Sequence, residues 1–167
     1  MPYAVAHMLI PMLILDIIRH KIPKIKLELP NRYVLIAGLA GLLPDIDIPL
    51  SLLFPSLIAH RGITHTVWVP LGFLIIFLIF QFIKKFDWSK ISLMISIGIA
   101  SHIILDLITA GSVKLFYPLS NAYFQVNLIS RLLPNIEVAF AYTMLDAIIL
   151  FAWLLRMTLK RKVQDMF

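Results

Sequence analysis

The sequence predicts an all-α integral membrane protein, a bundle of about five membrane-embedded helices with metal-site loops at the extracytoplasmic face. Three observations carry this. The chain of 167 residues is 60% apolar and only 14% charged, with a mean hydropathy of +0.92. A soluble domain is nearer half apolar and a quarter charged, so these residues could not cover a surface in water. The apolar residues also fall into runs of helical length separated by short basic connectors. Finally, residues able to ligate a metal recur at one set of segment ends.

Residues 3–18 form the first segment, with His7 near one end, Asp16 near the other, and Pro11 inside it predicting a kink or a new turn. Asp16 has Arg19 and His20 within one turn and reads as a structural pair. Residues 19–32 are a basic connector. A short second helix, 33–43, holds Gly38 and Gly41, small residues that permit close helix packing. Asp45 and Asp47 follow between Pro44 and Pro49, and residues 50–58, interrupted by Pro55, predict a dip into the membrane without a crossing. The stretch His60–Thr66 leads into a third helix, 66–83, and Lys84–Lys90 make the next connector. In the fourth helix, 91–109, Ser92, Ser96, His102, Asp106 and Thr109 share one face. An irregular stretch, 110–135, precedes a fifth helix, 136–155, with Glu137 at its start and Asp146 near its middle. The chain reads as a single domain, 1–167.

Connectors 19–32 and 84–90 and the tail hold twelve of the fifteen Lys and Arg residues. An excess of Lys and Arg in short loops marks the cytoplasmic side, so the net charge of +6 encodes orientation, and no nucleic-acid partner is expected. The opposite, extracytoplasmic side then receives His7, Asp45, Asp47, His60, His65, His102, Asp106 and Glu137 from five separate stretches. With no cysteine, disulfides and thiolate sites are excluded, and a metal would be held by His, Asp and Glu, which suits zinc, manganese or iron. Residues 1–18 lack the basic start of a cleaved signal peptide.

Each candidate also has a plainer explanation. His102 and Asp106, four apart on a helix, can reach one ion or can form an interhelical hydrogen bond. Ionisable groups inside a membrane helix are costly and mark function, which favours coordination. Asp45 and Asp47 would point the same way from an extended segment, whereas Asp47 alone could cap the helix that follows. His60 and His65 suit the two sides of a turn at Gly62, and Thr64 could cap the third helix. Arg61 suits either an interfacial anchor or an anionic oxygen such as phosphate. Asp146 is a buried acid that Tyr142 and Thr143 could hydrogen-bond.

Ala6-His7, Leu42-Leu43-Pro44-Asp45-Ile46-Asp47, His60-Arg61-Gly62-Ile63-Thr64-His65-Thr66 and the stretch from Ser101 to Gly111 together resemble the YdjM-like family of membrane-bound metal-dependent hydrolases. The order and spacing of these blocks fit over residues 6–120, and Glu137 is the counterpart of an acidic position in the looser C-terminal third. That family is distantly similar to the zinc-dependent phospholipase C and single-strand nuclease superfamily, all-helical enzymes with up to three zinc ions. The resemblance implies His7, Asp45, His60 or His65, His102 and Asp106 as metal ligands, and with two ions both His60 and His65 would complete the shells. No histidine follows Asp106, so two ions are the most this chain supports.

The expected function is therefore a membrane hydrolase using one or two divalent ions to cleave a phosphoester in a lipid or lipid-linked substrate. Arg61 would bind the phosphate, and Asp47 or Glu137 would orient a ligand or move a proton. The alternatives are a metal-ion or proton transporter, which needs polar groups through the whole membrane depth, and a non-catalytic protein whose structural metal is fully enclosed by protein ligands.

Overall fold

The computed structural model describes residues 4–21, 29–54, 61–109 and 112–164, with the backbone alone for His20, Lys21 and 160–164. Its α-helices are α1 (Ala4–Lys21), α2 (Asn31–Ala40), α3 (Asp47–Leu53), α4 (Trp68–Phe82), α5 (Phe86–Thr109), α6 (Leu128–Leu132) and α7 (Val138–Gln164). Two 3-10 turns, Pro44–Ile46 and Ile63–His65, precede α3 and α4. Two segments are long and apolar enough to cross a membrane, Phe86–Thr109 and Val138–Leu159. The α2–α3 pair, bent by 44°, makes a third if it counts as one span. α1 carries Asp16, Arg19 and Lys21 within 18 residues, and α4 has only 15, which separates both from full-length spans.

Boundaries move where capping chemistry overrides hydrophobic pattern. α5 begins at Phe86 rather than 91, because Asp87 complements the helix dipole in its first turn. The connector before it shrinks to Lys84 and Lys85. Lys84 takes a left-handed φ of 57°, and the amides of Lys85 and Lys84 bond the carbonyls of Phe80 and Gln81 at 2.8 and 3.1 Å. That closes α4 as a Schellman cap and sends α5 back along it. α7 extends to Gln164, well past 155, since no breaker interrupts the basic tail. α1 likewise runs through Pro11 to Lys21 without a break.

α5 is the central element and packs against α1, α2 and α4, while α7 lies on α1. Leu9, Met12 and Leu15 of α1, Tyr33, Val34 and Ala37 of α2, and Met94 of α5 form the core, with Leu29 closing it. Two glycines set how closely these helices approach. A Cβ on Gly98 would lie 2.3 Å from the Ala37 carbonyl, and one on Gly41 would lie 2.2 Å from the His7 carbonyl. Pro11 has no N–H to offer that His7 carbonyl one turn earlier, and it is this freed oxygen that rests on Gly41. Of the polar stripe on α5, Ser96 donates to the Pro70 carbonyl of α4 at 2.7 Å, and all five residues are buried.

At the end of the bundle near the basic connectors, Asp16 is buried and held by two arginines. Arg19 donates to Oδ1 at 2.6 Å, and Arg156 of α7 donates to Oδ2 at 2.5 Å. The expected Asp16–Arg19 pair is present, and Arg156 adds an interhelical link that spacing alone did not reveal. Substituting Arg156→Gln is expected to cost about 1–2 kcal/mol of stability by removing a charged hydrogen bond. Thermal unfolding in detergent measures it, and an unchanged midpoint would refute the link's contribution.

Over the other end of the bundle runs the segment 112–127. It is pinned by Leu115 accepting from the Val67 amide at 3.0 Å and by the Val126 amide donating to Leu107 at 2.8 Å. Val113 and Phe124 pair across it as an isolated antiparallel bridge.

A candidate metal centre

The site forms where the first turns of α1, the α2–α3 junction, the turn before α4 and the last two turns of α5 meet. α5 presents His102 and Asp106 one turn apart, both fully buried. Gly41, at the end of α2, accepts from His102 Nδ1 through its carbonyl at 2.7 Å. A carbonyl only accepts, so Nδ1 carries the proton and Nε2 presents a lone pair when the ring is neutral.

His65 is oriented from the other side. Its Nδ1 lies 3.0 Å from the Thr64 hydroxyl oxygen and 3.4 Å from Asp47 Oδ2. The Thr64 hydroxyl donates its own proton to Asp47 Oδ2 at 2.8 Å, so its oxygen accepts from His65 Nδ1. His65 Nε2 is therefore also a lone pair in the neutral ring. The two Nε2 atoms face each other at 3.2 Å. Asp45 Oδ1 stands 3.6 Å from both, and Asp106 Oδ2 stands 3.7 and 3.9 Å from them.

Two lone pairs 3.2 Å apart, with carboxylate oxygens 3.6–3.9 Å from each, repel each other unless a cation lies among them. Donors bound at 2.0–2.1 Å around a tetrahedral ion are about 3.3 Å apart, close to the separations seen here. Buried atoms say the same: His7 Nδ1 and Nε2, Asp45 Oδ1 and both Asp106 oxygens make no hydrogen bond among the described residues. Such atoms are costly to bury without a partner. The donor set thus fits a divalent metal, in the groups His65–His102–Asp106 and His7–Asp45–His102. His7 stacks on His102 at 3.8 Å between ring centroids and places Nε2 3.5 Å from Asp106 Oδ1. Asp106 therefore turns one oxygen to His7 and the other to His65 and His102.

Several expectations change here. Asp45 and Asp47 lie in helical turns, not an extended segment, and address opposite nitrogens of the same His65 ring. Asp47 is the first residue of α3 and not its N-cap, which is Ile46: besides Thr64, its Oδ2 accepts the Arg61 amide at 2.9 Å. Thr64 does not cap α4 either. The left-handed residue of the turn is Arg61, with φ 60°, rather than Gly62. That conformation lets Arg61 serve Asp47 with its amide while Nη2 lies 3.6 Å from Asp106 Oδ2. Glu137 is exposed just before α7 and, among the described residues, makes no hydrogen bond or ion pair with the cluster. His60 lies outside the described residues.

Tyr142 and Thr143 do not serve Asp146 as expected. Tyr142 donates to the Thr109 carbonyl at 3.2 Å, and Thr143 donates to Ala139 at 3.0 Å. Sequence reasoning also missed Thr64 as the link to Asp47 and Gly41 as the acceptor for His102. Thr64 was findable from its place beside His65, but a backbone carbonyl leaves no trace in residue identity.

A family model described as YdjM inner membrane protein matches residues 1–164. No curated protein and no solved structure gives a significant match.

Proposed function

We propose that this chain, which belongs to the YdjM inner membrane protein family, is a membrane-bound metal-dependent hydrolase acting on a phosphoester of a lipid or lipid-linked substrate. The observation that carries the reading is the convergence of His65 Nε2 and His102 Nε2, 3.2 Å apart, with Asp45 and Asp106 oxygens beside them. A bound divalent ion, zinc or else manganese or iron, would supply an activated water and polarise a phosphoryl oxygen. His65, His102, Asp45 and Asp106 would hold it, and His7 with Asp106 Oδ1 offers donors to a second.

The remaining roles belong to side chains. Asp47 and Thr64 fix the His65 tautomer so that Nε2 faces the site, and Gly41 does this for His102. Arg61 brings a guanidinium to the edge of the cluster, where it suits a phosphate oxygen. Asp45 and Arg61 are 25% and 21% exposed, whereas His7, Asp47, His65, His102 and Asp106 are at most 1% exposed. Large aliphatic residues flank that opening, with Leu43, Ile46 and Ile63 exposed beside the ligand-bearing turns. A polar slot rimmed by apolar surface suits a head group attached to an acyl or isoprenyl chain. The extracytoplasmic placement of the site is supported by the Lys and Arg distribution.

A transporter gains little support. Of the acids along the membrane depth, Asp16 is held by two arginines and Asp146 accepts a backbone amide. A structural metal remains a real alternative, because four protein donors are enough to enclose a tetrahedral ion.

The deciding test is hydrolysis of phospholipid vesicles by purified protein before chelation, after chelation and after metal return. Loss and recovery of phosphate or head-group release is expected. Full metal occupancy with no hydrolysis of any phospholipid class would favour the structural reading. Arg61→Gln should lower kcat/KM at least tenfold while metal content stays at wild-type level; unaltered kinetics would remove Arg61 from phosphate binding. Asp47→Ala should weaken metal affinity about 10–100-fold by releasing His65. Competition against a chelating dye measures it, and wild-type affinity would sever that link.

A further inference from the structure

Three features outside the metal ligands were candidates for a role: the Asp16–Arg19–Arg156 cluster, the segment 112–127, and the polar pair Tyr142 and Asp146 on α7. The pair carries the most. Tyr142 and Asp146 are four residues apart, so they share one face of α7, and both are buried at 4% and 7% exposure inside a candidate membrane span. Each makes a bond to the backbone of a different ligand-bearing helix. Asp146 Oδ1 accepts the amide of Ala6 at 3.2 Å, in the first turn of α1. Tyr142 donates its hydroxyl proton to the carbonyl of Thr109 at 3.2 Å, in the last turn of α5.

These are the groups a helix cannot satisfy by itself: amides of its first turn and carbonyls of its last. In a segment shielded from water they need a partner from the protein. One face of α7 supplies both, with a carboxyl oxygen as acceptor at the positive end of the α1 dipole and a hydroxyl donor at the negative end of α5. Ala6 directly precedes His7, and Thr109 lies three residues after Asp106. The bond pair therefore spans the two helices whose side chains meet as His7 Nε2 and Asp106 Oδ1 at 3.5 Å.

We infer that Asp146 and Tyr142 are positioning residues, a clamp on α7 that ties the first turn of α1 to the last turn of α5 and so sets His7 against Asp106. A buried acid within a candidate membrane span thereby gains a structural role. The consequence for metal binding rests on the functional reading above; the clamp itself does not.

The test uses full-length protein in lipid nanodiscs and two readouts. Hydrogen–deuterium exchange of the amides in residues 4–10 reports the clamp without metal. Asp146→Ala should raise exchange there at least tenfold, whereas Asp146→Asn, whose amide oxygen still accepts, should remain within threefold of wild type. Exchange in α2 serves as the folding control. Unchanged protection of residues 4–10 in Asp146→Ala, or an equal rise throughout α2, would overturn the inference. Metal affinity is read in parallel, with Asp146→Ala expected to weaken binding about tenfold in wild type and not at all in a His7→Ala background. Equal weakening in both backgrounds would assign Asp146 a general structural role instead. A wild type that binds no metal would defeat the hydrolase reading while the exchange result still decided the clamp.

Discussion

Replacing Asp106 by alanine or asparagine is expected to strip the protein of bound metal and, with it, of any hydrolytic activity. Asp106 is fully buried and lies within 4 Å of four other site side chains. His7 lies 3.5 Å from one oxygen, and Arg61, His65 and His102 lie 3.6, 3.7 and 3.9 Å from the other. Removing it deletes the carboxylate that both donor groups around His7 and His65 approach, and leaves only Asp45 to neutralise an ion among imidazoles. A fall in affinity of at least a thousandfold is expected, roughly 4 kcal/mol. The asparagine variant keeps the shape and loses only the charge, so it separates ligand loss from a packing defect. Elemental analysis of protein purified in metal-supplemented buffer reads the result. Wild-type metal content in both variants would remove Asp106 from the site and sink the metal centre with it.

The second large effect is expected at Gly98, which touches no candidate ligand. A Cβ there would stand 2.3 Å from the Ala37 carbonyl, 2.7 Å from Ala40 Cβ and 2.9 Å from the Gly41 amide. None of these can swing aside, since two are backbone atoms and the third is fixed to a helix. Gly98→Val must therefore push α5 away from α2. Overpacking of this kind costs about 3 kcal/mol, or roughly 10 °C in Tm for a chain of this size. Gly98 lies one turn before His102 on the same helix, so the shift also draws His102 from the Gly41 carbonyl, now 2.7 Å away. Metal affinity should fall together with stability. Gly72→Val on α4, where an added Cβ meets nothing within 4 Å, is the matched control and should lower neither Tm nor metal affinity. A Gly98→Val protein with wild-type Tm would contradict the close α2–α5 approach.

Much of the helical order was legible because it follows from hydropathy. The segments around 91–109 and 136–155 were visible as apolar runs, and the structure places α5 and α7 there. Their ends were less visible, because the Schellman cap at Lys84 and the Arg156–Asp16 bond depend on atoms outside the pattern. The convergence of His7, Asp45, His65, His102 and Asp106 was legible for a different reason. Each is too costly in an apolar segment to lack a partner, and each lay near the same end.

The roles within that group were not legible. Asp45 and Asp47 are the same residue type two positions apart, yet one faces a partly exposed ring of donors and the other is buried behind His65. Likewise, the sequence offers Tyr142 and Thr143 to Asp146, whereas its Oδ1 accepts the Ala6 amide, 140 positions away in the first turn of α1. Composition and spacing alone established that this chain lives in a membrane, that it is helical, and that its His and Asp residues belong together. Those properties sum over many residues, or follow from the cost of burying a charge, and so survive without coordinates. Which nitrogen of each histidine is free, which carboxylate lies beside it, and how close α1, α2 and α5 come were decided by tertiary packing alone. They depend on single interatomic distances, set by Gly41, Gly98 and Pro11 and by backbone groups that every residue type shares.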